Sequence, residues 1–236
     1  MIRNFFTLCA AICFFSFEGV HAQGMAIGVH ATLSEYDGDL NGNEHHFYAF
    51  KFNKVGAAIS LQQYLNPSFN LVEKISFNQI QYQDDEKITG FDGDLYGLNL
   101  KLKYKFNNGY MLKEDAVIAP FLVVGGGATY IDTKYFNDVD SGPITDGEIK
   151  GNLAAGVGIL FQFNDRVGLE VANTLNMPLF DGWDGLDEGD NDLYLQHSAG
   201  LIFNLRKPKD TDKDGVSDKK DKCPDTPMTA KVDSKG

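Results

Sequence analysis

Residues 192–206, DLYLQHSAGLIFNLR, decide how the rest of the chain is read. Taken two at a time, Leu193, Leu195, His197, Ala199, Leu201, Phe203 and Leu205 share one face. Tyr194, Gln196, Ser198, Gly200, Ile202 and Asn204 share the other. Successive side chains of a strand point to opposite faces, so this is one long strand, apolar on one side and small or polar on the other. It exceeds the usual ~5–6 residues and reaches the ~9–11 that a tilted strand needs to cross a bilayer. Immediately after it comes KPKDTDKDGVSDKKDKCPDTP, a charged stretch of different character.

The same period recurs upstream. It predicts strands over 24–36, 47–61 (with an extension to Tyr64), 69–83, 94–106, 117–131, 148–163 and 166–179, eight with the first one read. In the clearest, Tyr96, Leu98, Leu100, Leu102, Tyr104 and Phe106 oppose Leu95, Gly97, Asn99, Lys101, Lys103 and Lys105. Asn66-Pro67-Ser68 and Asn164-Asp165 read as tight turns. Connections after the second and sixth strands are very short, and the one after the fourth is moderate. Those after the first, third, fifth and seventh are long and acidic, and several strands carry aromatics near an end. Trp183 falls in one of the long connections, where it can pack locally or meet a partner.

Alternation of long and short connections, an even strand number and aromatic strand ends are the requirements of a transmembrane barrel. The expected fold is therefore all-β: an eight-stranded antiparallel up-and-down transmembrane β-barrel followed by a short irregular calcium-binding linker. Residues 1–22 form a signal peptide, 23–206 the barrel and 207–236 the linker. The leader follows from Arg3, the apolar run Phe5–Phe17 and Val20-His21-Ala22 before the cleavage point. That run is too short for a membrane anchor. Arg3 and Glu18 cancel, so the mature chain keeps the net charge of −12, which argues against nucleic acid as a partner. Cys9 and Cys13 leave with the leader, and Cys223 has no intrachain partner.

Two soluble or surface alternatives stay open. A secreted lipocalin-like barrel also has eight strands, but with its apolar face around a ligand. An adhesin would act through the acidic loops 37–46, 84–94, 132–148 and 181–192, bridging to lipopolysaccharide phosphates through divalent ions. In the membrane reading the lumen is lined by Asn99, Lys101, Lys103, Lys105, Asn152, Gln162, Arg166, Glu170, Gln196 and Asn204, paired into a salt-bridged plug. Eight strands leave room for little more than their own side chains, so at most a small pore is expected.

The chemistry sits in 210–221, DTDKDGVSDKKD. Asp210, Asp212, Asp214, Asp218 and Asp221, with the Val216 carbonyl, supply the oxygens that hard Ca²⁺ takes, and Gly215 permits the sharp turn. Pro208 before and Cys223-Pro224 after exclude flanking helices, so this is not an EF-hand. The DGDL copies at 37–40 and 92–95 read as turns, and His45-His46 and His197 as unliganded. No nucleophile–base pairing stands out, so an enzyme is not expected.

Together these features resemble the OmpA-like outer-membrane proteins, through the barrel pattern and YLNPSFNL (64–71). They also resemble a thrombospondin type 3-like repeat, through DTDKDGVSDKKDKCPDTP (210–227). The resemblance implies a structural, porin-like protein of the cell outer membrane in contact with lipid and lipopolysaccharide. It implies Ca²⁺ on the repeat aspartates and a C-terminal segment in the periplasm. The family continues into a peptidoglycan-gripping domain. Residues 228–236 do not carry one, so a wall partner is expected only if such a domain follows.

Overall fold

The protein is described here by a computed structural model. It describes residues 24–41, 47–48, 50, 54–83, 90–136, 141–144, 147–180, 182–185, 192–205, 211–212, 221–227, 230 and 232. The leader 1–22 and the histidines at 45 and 46 lie outside these residues.

Among the described residues nine strands follow in order: β1 (Met25–Asp37), β2 (Val55–Tyr64), β3 (Phe69–Gln83), β4 (Gly90–Lys105), β5 (Ile118–Phe136), β6 (Ser141–Pro143), β7 (Glu148–Gln162), β8 (Val167–Pro178) and β9 (Leu193–Asn204). Every pairing is antiparallel. The eight long strands form a ring, because β4 also pairs with β5 and β1 with β9. The three-residue β6 hangs on the far end of β5. Closure leaves no open edge among the long strands, so the backbone groups of the ring find partners within it.

The connections β2–β3, β4–β5 and β7–β8 lie at one end of the barrel; the other connections lie at the opposite end. At the short-turn end, asparagines shape each reversal. The Asn66 Oδ1 accepts from the Ser68 and Phe69 N–H, the Asn108 Oδ1 from Tyr110 and Met111, and the Asn164 Oδ1 from Arg166 and Val167. An asparagine carbonyl mimics a backbone acceptor and fixes the turn.

Three boundaries differ from the sequence expectation. The second strand begins at Val55, not Phe47. Tyr48 and Phe50 adopt φ of 68° and 50°, which no strand accommodates. On β4 the strand begins at Gly90 and not at Asp94, so Asp92 is a strand residue and not a loop residue. On β5 the strand runs on to Phe136 and then pairs with β6, shortening the expected 133–147 loop. In both cases the two strands extend one another: Gly90 pairs with Phe136 and Asp94 with Asp132. Turn signals are outweighed there by an available ladder.

The outer wall is apolar. Reading across the register, Leu169, Leu201, Val29, Ile59 and Ile75 are successive cross-strand partners, and Ile75 continues to Leu98. Val29 is 54% exposed and Ile59 61%. Above and below this belt, outward aromatics contact one another. Phe77, Tyr96 and Tyr130 do so toward the long-loop end, and Phe69, Tyr104 and Phe106 at the short-turn end. Tyr96 and Tyr104 are eight residues apart on β4. That is about 27 Å of strand at ~3.4 Å per residue. At the ~40° tilt usual in such barrels the two levels stand about 20 Å apart, near the ~25 Å apolar band of outer-membrane barrels.

Candidate functional site

The barrel interior is where polar groups converge. Asn99, Lys101, Lys103, Asn152, Glu170 and Gln196 all face inward and are buried. Lys105, Gln162 and Asn204 line the short-turn mouth with partial exposure. Arg166 departs from the expected lumen set. It lies exposed in the β7–β8 turn, where the Asn164 carbonyl captures its N–H.

Three levels fill the bore. The middle level is a hydrogen-bonded lattice of neutral groups. Thr32 donates to the Asn78 Oδ1 (2.8 Å), as does the Gln196 amide (2.9 Å). The Asn152 amide donates to the Asn99 Oδ1 (2.9 Å), and Thr129 to the Asn152 Oδ1 (3.2 Å). Such a network costs little only when its members are satisfied, and these join six strands in two groups of three.

Toward the short-turn end lies a charged level. Lys103 forms a salt bridge with Glu170, and the Gln62 amide donates to the same carboxylate (3.1 Å). The Lys103 ammonium also lies 3.9 Å from the centre of the Phe121 ring. Lys74 donates to the Gln196 Oε1 (3.0 Å), and the His30 Nε2 meets the Ser60 hydroxyl (2.9 Å). His30, Ser60, Lys74 and Gln62 come from β1–β3, strands whose alternation is looser in sequence. Period-two counting along each of these strands is the signal that places them.

Toward the long-loop end the bore is closed by hydrophobic side chains. Tyr36, Ile80, Phe91, Leu95, Ile131 and Tyr194 point inward from five strands and pack around Trp183. Trp183, from the β8–β9 connection, is fully buried. Its ring meets those of Tyr36 and Phe91 edge-on at 5.5 Å, and the Thr133 hydroxyl donates to its carbonyl (2.7 Å). The neighbouring Asp184 and Asp192, both buried, bind the Tyr36 hydroxyl and the amides of the DGDL segment. Leu40 donates to Asp184 (3.3 Å) and Asp39 to Asp192 (3.4 Å). The 37–40 segment is thereby clasped over the mouth to residues 183–184 and 192. Of the two readings of Trp183, it is the local packing that is found.

Two features sit on the outer wall near the long-loop rim. The Glu35 Oε2 and the His197 Nε2 are 2.6 Å apart, and the His197 Nδ1 lies 2.7 Å from the Asn173 Oδ1. Glu35 also accepts the Tyr48 (2.8 Å) and Phe50 (2.7 Å) amides. The two rings stand 5.3 and 5.1 Å from the imidazole. The left-handed backbone of Tyr48 and Phe50 is held by that one carboxylate. His197 is thus anchored on both nitrogens. A second feature is a mixed-charge groove of about 130 Å³ lined by Lys54, Gln79, Asp92, Asp94, Asp132 and Lys134, with Lys54 3.6 Å from Asp92.

Of the calcium-loop residues, Asp212 and Asp221 are described, and Asp210, Asp214, Val216 and Asp218 lie outside the described residues. The Asp212 carboxylate accepts the Thr226 amide (2.8 Å) and Asp221 the Cys223 amide (2.7 Å). Cys223 is exposed. Among the described residues no group of three or more His, Cys, Asp or Glu side chains is arranged to hold a metal ion.

No protein-family model matches the chain, and no curated protein matches it. Solved structures of similar shape do. Neisserial surface protein A shares 13% identity at a TM-score of 0.48, covering 76% of this chain and 96% of that one. Ail, the attachment invasion locus protein of Yersinia pestis, crystallised with the heparin analogue sucrose octasulfate, shares 12% at 0.48, covering 78% and 99%. The N-terminal β-barrel domain of Pseudomonas aeruginosa OprF shares 15% at 0.41, covering 78% and 100%. With identities this low and TM-scores below 0.5, what the chain does has to come from its own surfaces.

Proposed function

We propose that this chain is a structural outer-membrane β-barrel with a closed bore. The observation that carries the reading is the inside-out distribution of polarity. Val29, Ile59, Val124, Val157 and Leu201 are exposed on the outer wall, while lysines, glutamate and amides are buried inside. A soluble monomer rarely exposes a continuous apolar belt of this extent, whereas lipid requires it. A lipocalin-like barrel needs the opposite arrangement, with apolar groups around an internal ligand. The role is structural and not enzymatic.

In this reading the short-turn end is periplasmic, and the clasped long-loop end faces outside. The groove bounded by Lys54, Lys134 and the three aspartates lies above the Phe77–Tyr96–Tyr130 aromatics, at headgroup height. Its lysines suit lipopolysaccharide phosphates and its carboxylates suit the bridging divalent ions. The adhesin reading has less chain to work with, since 90–94 and 132–136 are strand.

The belt is tested by Val29→Arg. Val29 lies between Ile59 and Leu201 in the middle of the apolar wall. If that wall meets lipid, the folded barrel in phospholipid vesicles loses about 2–4 kcal/mol in urea titrations. If it meets water, the change stays within about 0.5 kcal/mol, as for an ordinary surface position, and the membrane reading fails.

The 210–221 segment is read as a Ca²⁺-binding linker, with Asp210, Asp212, Asp214, Asp218, Asp221 and the Val216 carbonyl as ligands. Support comes from their spacing and from the Asp212 carboxylate, which accepts the Thr226 amide and so ties position 212 to 226. Titration calorimetry of the whole protein should show Ca²⁺ uptake that a D212N/D214N double variant loses by at least tenfold in affinity. Equal affinity in the variant removes the site.

A further inference from the structure

The charged level of the bore does not balance. Lys74, Lys101 and Lys103 are all buried, each less than a tenth exposed, and Glu170 is the acidic side chain that faces them. Among the described residues Lys103 holds the salt bridge to Glu170. Lys74 reaches a neutral acceptor, the Gln196 Oε1. Two positive charges are thus left over within a chain whose net charge is −12. Buried charge is tolerated when an opposite charge accompanies it.

The register brings the surplus together. Lys74 pairs with Asn99 and Val72 with Lys101, so the two lysines are diagonal neighbours on the inner faces of β3 and β4. Diagonal partners stand ~7–8 Å apart at the backbone, within reach of long side chains. Beside them is His30, 3% exposed, whose Nε2 is used by Ser60 while its Nδ1 has no hydrogen-bond partner. Its ring occupies space that two glycines leave open. A Cβ on Gly200 would come within 2.4 Å of the Nδ1, and one on Gly28 within 2.5 Å of the Nε2. Lys74, Lys101, Lys103 and Glu170 all act on this ring electrostatically. Whichever ring nitrogen carries the proton, the Nδ1 is a buried polar atom without a hydrogen-bond partner.

We propose that the bore binds a small monovalent inorganic anion, chloride in ordinary salt, between the ammonium groups of Lys74 and Lys101 and beside His30. The anion is the counter-ion of the charged level. It lies behind the Trp183 plug, so it is a resident of the fold and not a permeating ion. The inference rests on the closed barrel alone and is independent of what surrounds the outer wall.

The test uses the full chain refolded in detergent. Crystals grown in sodium bromide should give an anomalous peak within hydrogen-bond reach of both the Lys74 and Lys101 Nζ. In solution, replacing gluconate by chloride at constant ionic strength should raise the unfolding midpoint of the wild type by about 3–6 °C when chloride is tenfold above its Kd. Lys101→Met, or Lys101→Gln should the first fail to fold, flattens that dependence. Lys105→Met at the mouth keeps it. Bromide peaks confined to the barrel surface, equal midpoints in both salts, or full chloride dependence in the Lys101 variant would each overturn the site.

Discussion

Replacing Trp183 by alanine is expected to destabilise the barrel by about 3–5 kcal/mol, the range for removing a fully buried large aromatic side chain. The side chain fills the bore where Tyr36, Phe91 and Tyr194 converge, and three edge-on aromatic contacts disappear with it. Urea titration in micelles, followed by the gel-mobility difference between folded and unfolded barrel, measures the loss. A second readout separates the plug from the ring. Trp183 is the only tryptophan in the chain. Its emission in the wild type should be blue-shifted and shielded from aqueous acrylamide and from brominated lipid alike, because it lies inside the wall and not on it. Quenching by brominated lipid would place it on the outer surface and refute the plug.

The second large effect concerns Glu170. Glu170→Ala should cost about 3–5 kcal/mol, since it leaves the Lys103 ammonium buried without its partner. Removing both charges should cost far less. A K103M/E170L double variant replaces a desolvated pair by packed apolar groups, a change that is often near neutral. The coupling energy from the full cycle, read in the same urea titrations, should therefore be large and of the sign that rescues the single variant. If the double variant were as unstable as Glu170→Ala, the pair would not be the source of the loss.

The ring of eight strands and the facing of nearly every residue on β4, β7, β8 and β9 were legible in the sequence. The reason is physical: period-two alternation is the same quantity that decides which side chain meets the bore. Val55 was less legible as a strand start. Residues 47–54 continue the alternation, and nothing in their types announces that Glu35, some fifteen positions earlier, will hold Tyr48 and Phe50 in left-handed geometry. The plug was illegible for a related reason. Trp183 sits in a Gly- and Asp-rich connection, and its socket is assembled from inward side chains of five strands, Tyr36, Phe91 and Tyr194 among them. The charged level was half legible. Lys101, Lys103 and Glu170 were placed from their own strands, but the imbalance appears only when Lys74 and His30 join them. The DGDL segments show the opposite error: the same four letters are a cap over the mouth at 37–40 and plain strand at 92–95.

The chain of Glu35, His197 and Asn173 joins β1, β9 and β8 across the one ladder that makes the ring, Ala26 with Asn204 through Asp37 with Leu193. Those partners are separated by more than 150 positions, while the other ladders join neighbours in sequence. Closing so long a loop is entropically expensive and slow, and until it happens β1 and β9 present open edges. Contacts that form only after that last encounter are absent from the transition state. They leave the folding rate unchanged and slow the opening of the finished ring. The outer-wall carboxylate–imidazole pair is therefore a latch on lifetime: its loss should be read in how fast the barrel unzips, and hardly at all in how fast it forms.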